Sequence, residues 1–249
     1  MGVNKRPPID SILYYRVIEH LHGGDDPNFF KNMNRNRIPD WLVKCIWLVV
    51  LLLLFLAYFP LNSLREPIHS LELPVDNRIS LVPAFVFPYL SLYLLLVISL
   101  WRFAQAKARI FVITTLAISL DLVISYLVFL FYQTQVERPV ILGSDIPSSI
   151  LRWVYSIDKP FNAFPSLHTS LSTLLALLWG RVGSRIQPII ALWAVFIIAS
   201  TLLTKQHYIA DVFGGIAVAL VSYYGAVTLG SFAIGGANER LVFWRRRHR

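Results

Sequence analysis

His207 and Asp211, in the stretch TKQHYIADV, stand four residues apart, which puts both on one face of a helix about one turn apart. A carboxylate so placed accepts a hydrogen bond from one imidazole nitrogen, orients the ring and leaves the other nitrogen more nucleophilic. His168 and Ser166, in FPSLHTS, sit where a polar segment turns into an apolar run. Arg138 and Pro139, in QTQVERPV, follow another such run, and Lys205 precedes His207 by two. Each piece alone has a bland reading. A lone histidine at the edge of an apolar run is as a rule interfacial or structural, and an Arg-Pro is as a rule a headgroup anchor and helix stop. An aspartate one turn into such a run is costly and harder to dismiss. Two histidines, an aspartate, a serine and two cations at one depth make an anion site. The cations match a phosphate, Ser166 can donate to one of its oxygens, and a helix N-terminus adds amide donors.

The elements that must position these groups are apolar runs. Of 249 residues, 56% are hydrophobic and 15% charged, whereas charged residues make up about a quarter of a soluble domain. Six runs can be drawn, at residues 41–59, 84–101, 110–132, 167–180, 188–203 and 208–229. The fold class expected is all-α, a polytopic membrane protein with a six-helix transmembrane bundle. The fourth run is short, so it either starts earlier, near Phe161, or is covered by its neighbours.

The net charge of +9 does not point to nucleic acid, because the basic residues lie between apolar runs and form no patch beside aromatics. With the N-terminus inside, seventeen of the 23 Lys and Arg fall on inner segments and six on outer ones. That bias predicts that the N- and C-termini are both cytoplasmic. All three polar clusters then emerge on the extracytoplasmic face, be it periplasm, exterior or lumen.

Residues 1–40 read as a cytoplasmic segment, 41–232 as the membrane domain, and 233–249 as a basic cytoplasmic tail. No cleavable leader is expected, since about forty mostly polar residues precede the first run. Ile9, Ile12, Leu13, Val17 and Leu21 repeat at helical spacing, as in a helix lying on the membrane or capping the bundle. The single cysteine, Cys45, reads as packing. Asp121, in mid-run, is expected to pair with a polar neighbour or support the site from below. Residues 148–157 have an amphipathic helical pattern suited to the outer interface.

At these residues the chain resembles the type 2 phosphatidic acid phosphatase and vanadium haloperoxidase superfamily, whose motifs are Lys-x6-Arg-Pro, Pro-Ser-x-His and Ser-Arg-x5-His-x3-Asp. Pro165, Ser166 and His168 match the second in full. Ser200, His207 and Asp211 match the third, and Arg138 and Pro139 the first. The first motif's lysine position holds Phe131 and the third's arginine position Thr201. Lys205 is the candidate to replace one of those cations.

The resemblance implies a membrane-bound lipid phosphatase acting on a phosphate monoester or pyrophosphate. His207 would attack phosphorus to give a phosphohistidine, with Asp211 holding its tautomer. His168 would protonate the leaving alcohol and then activate the acceptor. Arg138, Ser166 and Lys205 would hold the phosphate oxygens. No cofactor and no metal are implied. The partners are a lipid phosphate and the bilayer, with no nucleic acid, and the oligomeric state is left open. TKQHYIADV is also similar to inositol phosphorylceramide synthases and related head-group transferases, so transfer between lipids is the first alternative. A non-catalytic lipid-binding or transport relative is the second.

Overall fold

The computed structural model describes residues 39–63 and 66–234 of the chain. The expected helix around residues 9–21 and the basic tail lie outside those residues. Among the described residues there are seven α-helices: α1 Asp40–Leu61, α2 Val86–Ala104, α3 Ala108–Phe131, α4 Ile146–Ile157, α5 Leu167–Arg181, α6 Gln187–Leu203 and α7 Ile209–Ile234. Among the described residues no strand forms, so the class is all-helical. Among the described residues four stretches, Asp40–Leu61, Pro83–Ala104, Ala108–Phe131 and Ile209–Gly230, are long and apolar enough to cross a membrane.

α5 and α6, with 15 and 17 residues, fall short of the ~20 residues of a standard span. The cause at α5 is local. Its N-cap is Ser166, whose Oγ accepts from the Thr169 amide at 3.3 Å, so no helix reaches back to Phe161. The helix is instead covered by its neighbours, with Leu171, Leu174, Leu175, Leu178 and Trp179 all buried.

α3 is the inner helix, with 61% of its apolar window buried against 6% for α1. It packs on α1, α5 and α7, while α5 also packs on α6 and α7. Phe111, Ile118, Leu122 and Phe129 of α3 meet the α5 leucines, Ile197, Ala219 and Ala226 in one core. Apolar burial does not drive helices together in lipid, so close packing and polar bonds must. Trp179 Nε1 donates to Ser99 Oγ and Trp193 Nε1 to Ser91 Oγ, both at 2.8 Å. Ser170 Oγ donates to the buried Asp121 carboxylate at 2.8 Å, the structural pairing open to it on sequence grounds.

One end of the bundle is knitted by its connections. His69 and Thr134, and Gln135 and Phe161, form isolated bridges. Asn162 donates from Nδ2 to Leu61 O at 2.7 Å and accepts from Gln133 Nε2 at 2.9 Å. Asn162 has φ +58°, a left-handed conformation that Asn tolerates better than most residues. The short helix α4 lies at this end, opened by Asp145, whose carboxylate accepts from the Ser148 amide at 3.0 Å. Those bonds hold the Asp145 carboxyl below its ordinary range.

Candidate active site

The two histidines come together at this knitted end. The His168 and His207 ring centroids are 6.4 Å apart. His168 is the second residue of α5 and is stacked on Tyr89 of α2, centroids 3.9 Å apart at 18°, with Tyr93 edge-on at 6.2 Å. Among the described residues its buried Nε2 has no hydrogen-bond partner. A polar nitrogen left so costs free energy, unless a ligand or water meets it.

His207 lies in the turn between α6 and α7. Its Nδ1 bonds the carbonyl oxygen of Ala163 at 2.9 Å and stands 3.5 Å from Asp211 Oδ2. With Nδ1 the donor, Nε2 keeps its lone pair. Asp211 is fully buried, and its Oδ2 also accepts from the Tyr208 amide at 2.8 Å. Asp211 thus caps the start of its own helix while facing the imidazole. Its backbone oxygen accepts from the Ser166 amide at 3.1 Å, which ties the two histidine segments together.

That approach requires glycine. A Cβ at Gly215 would stand 2.6 Å from Ser166 O and 2.9 Å from Thr169 Cβ, and one at Gly214 would strike the Phe164 ring.

The turn bearing His207 is held from a distant loop. Asp76, between α1 and α2, accepts from the Ile209 amide through Oδ1 at 2.9 Å and caps α7 across 133 residues. Its backbone oxygen accepts from Lys205 Nζ at 2.9 Å. Lys205 has φ +52°, and such a residue persists only where its surroundings fix it. The Tyr208 hydroxyl accepts from the Glu137 amide at 3.1 Å, which sets the Arg138 segment against the His207 turn. Burial pushes the Tyr208 phenol up.

Arg138 and Lys205 line one cavity of about 280 Å³ with Glu72, Asp76, Asn77, Glu137, Pro139 and Tyr208. Arg138 is docked there. Nη1 donates to Asp158 O at 2.5 Å, Nη2 to Lys159 O at 3.4 Å, and Nη2 lies 3.9 Å from Asp158 Oδ2. The guanidinium covers the Tyr155 ring at 4.7 Å. Its buried Nε has no partner among the described residues.

His168, His207, Asp211 and Ser166 are therefore joined by direct bonds or adjacency, whereas Arg138 and Lys205 share a cavity whose lining includes Tyr208, the neighbour of His207, but neither histidine. Ser166 is fully buried, and its Oγ is engaged as the α5 cap. The two departures from the motifs also have places. Phe131 is 86% exposed at the end of α3, on the outside of the bundle. Thr201 is fully buried, its carbonyl accepting from the Gln206 and His207 amides at 3.0 and 3.2 Å.

Residues 66–225 match the family model described as the PAP2 superfamily. The chain belongs to the PAP2 superfamily. No curated protein and no solved structure matches it. The match spans the cap Asp76, the Arg138 segment, both histidines and Asp211. Membership brings a phosphatase-type activity to a bundle with four helices able to cross a membrane.

Five members of the site carried little signal in the sequence. The Ala163 acceptor is a backbone group and has none. Asp76 and Asp158 sit among mixed charges, where nothing in the spacing singles them out. Tyr89 and Tyr93 looked like part of an interfacial aromatic belt.

Proposed function

We propose that this protein is an integral membrane phosphatase that hydrolyses a lipid phosphate monoester or pyrophosphate at the extracytoplasmic face. The observation that carries the reading is His207 with Nδ1 bonded to Ala163 O and a second histidine 6.4 Å away, ring to ring. Nε2 of His207 attacks phosphorus, and the bond to the lipid oxygen breaks. His168, protonated, gives its proton to that oxygen. His168 then takes a proton from water, whose oxygen displaces the imidazole and releases phosphate. Arg138, Lys205 and Ser166 balance the equatorial oxygens, which is most of what phosphoryl transfer requires.

The bundle crosses the membrane six times in this reading, with α5 and α6 as short spans and both termini cytoplasmic. The lysine and arginine bias supports that orientation. An apolar tail then stays in the bilayer while the phosphate meets the knitted end.

The test is phosphate release from phosphatidate, prenyl pyrophosphate, sphingoid phosphate and phosphatidylglycerol phosphate by the full chain in lipid nanodiscs. At least one should be hydrolysed, and His207→Ala should lose the activity. Full phosphate release by that variant would sink the mechanism. The transferase alternative, similar to inositol phosphorylceramide synthases, differs only in the acceptor. It predicts labelled lipid product instead of free phosphate when donor and acceptor lipids are supplied together. A lipid-binding relative without chemistry would show neither.

A further inference from the structure

Asp158, the residue that closes α4, is used by nothing in the mechanism above, yet four side chains from three parts of the chain converge on it. Oδ1 accepts from the Tyr58 hydroxyl and from Asn62 Nδ2, each at 2.8 Å, both from the end of α1. Oδ2 lies 3.5 Å from the Tyr89 hydroxyl, and Tyr89 is the ring on which His168 is stacked. Oδ2 is also 3.9 Å from Arg138 Nη2, and the Asp158 backbone oxygen accepts from Nη1. Nη1 and Nη2 each give one N–H to the carbonyls of residues 158 and 159, and the buried Nε has no partner among the described residues.

We propose that Asp158 is a positioning residue of the reaction, which fixes the Arg138 guanidinium so that Nε–H faces the phosphate and ties it, through Tyr89, to the histidine that serves the leaving group. The inference rests on Arg138 being a phosphate-binding group, as read above. The physical case is directional. A carboxylate that served only as counter-charge would compete with phosphate for the guanidinium. One whose Oδ1 is already held by Tyr58 and Asn62 is a fixed post, and it fixes with it the residue 158 carbonyl on which the guanidinium is docked, so that the guanidinium is pre-organised. Pre-organisation improves anion affinity by sparing the ordering cost of a long side chain. The two roles therefore predict opposite changes when the charge is removed.

The experiment is equilibrium binding of inorganic phosphate to the full chain in nanodiscs, beside the turnover assay. Asp158→Asn keeps the shape and an acceptor for Tyr58. It should weaken phosphate about ten-fold, the loss of one charge-assisted contact. Tyr58→Phe, on α1 and remote from the cavity that Arg138 lines, should weaken phosphate about three-fold through Asp158 alone and change nothing further in the Asp158→Asn background. Unchanged or tighter phosphate binding in Asp158→Asn overturns the proposal and leaves Asp158 a counter-charge. No saturable phosphate binding by the wild type overturns it as well. If Asp158→Asn does not fold, the Tyr58→Phe affinity decides, an unchanged value counting against. The proposed function fails by a different readout, when the wild type turns over no lipid phosphate or His207→Ala turns it over fully.

Discussion

Nδ1 of His207 is 2.9 Å from the carbonyl oxygen of Ala163 and 3.5 Å from Oδ2 of Asp211. The shorter bond goes to a backbone group that no substitution removes, so the tautomer of His207 is held even when the carboxylate is altered. Asp211 has a second task, since Oδ2 accepts from the Tyr208 amide. Asparagine can keep that acceptor, whereas alanine loses both the cap and the imidazole partner. Asp211→Asn should therefore lower kcat about ten-fold and Asp211→Ala about a hundred-fold, one hydrogen bond to a charged group being worth about 1.5–3 kcal/mol. Equal losses in the two variants, measured as lipid phosphate turnover, would return the orienting role to Asp211.

Gly215 and Gly225 lie on the same helix and should respond oppositely to alanine. At Gly215 the new methyl would meet Ser166 O at 2.6 Å and Ser170 N at 3.1 Å, backbone atoms that cannot swing aside. α5 and α7 must part, at about 1–3 kcal/mol for overpacking, and the bond between the Ser166 amide and Asp211 O parts with them. At Gly225 the nearest neighbour is Leu120 Cδ1 at 3.7 Å, an ordinary contact, so alanine gains up to about 1 kcal/mol of helix propensity. Thermal unfolding should show Gly215→Ala below and Gly225→Ala at or above the wild type.

What the sequence made legible follows from which groups announce themselves. His168, His207 and Asp211 stood out because polar residues at the edge of apolar runs are costly, and their spacing then put two of them on one face. The helices at residues 40–61, 86–104, 108–131, 187–203 and 209–234 fall on apolar runs for the same reason. Arg138 was legible as a cation suited to an anion, but not as one docked on the residue 158 carbonyl. That docking depends on a contact between residues twenty apart on either side of α4, which no periodicity encodes. The remote cap of α7 by Asp76 crosses 133 residues. The bond from Ala163 belongs to the backbone and is written in no side chain. Such long-range and main-chain contacts are fixed by the packed bundle, so only coordinates reveal them.

Tyr155 ties α4 to the His207 turn, its hydroxyl donating to Thr204 O at 2.6 Å under the Arg138 guanidinium. Burial raises its phenol to about 12, with Arg138 opposing. A group whose folded pKa lies above its unfolded value near 10 stabilises fully below that value, and the contribution drains away as pH rises through the folded one. Unfolding temperature should therefore fall between about pH 10 and 12, and Tyr155→Phe should flatten that part of the curve. A Phe variant with the same alkaline slope as the wild type would show that the phenol is not the group responsible.

Asp76 offers the sharpest separation of folding from chemistry at the site. It is 3% exposed, and its two carboxylate oxygens accept from Ile209 N at 2.9 Å and Leu73 N at 2.8 Å. Alanine leaves both amides without their acceptor in a buried setting, at about 1–3 kcal/mol for each group that water cannot reach. Asparagine keeps one acceptor oxygen and loses less. Because Ile209 follows His207 by two residues, the frayed start of α7 moves the nucleophile as well as weakening the helix. Asp76→Ala should lower both the unfolding temperature and kcat. A variant with reduced stability and an untouched kcat per folded molecule would show that the α7 cap serves folding alone.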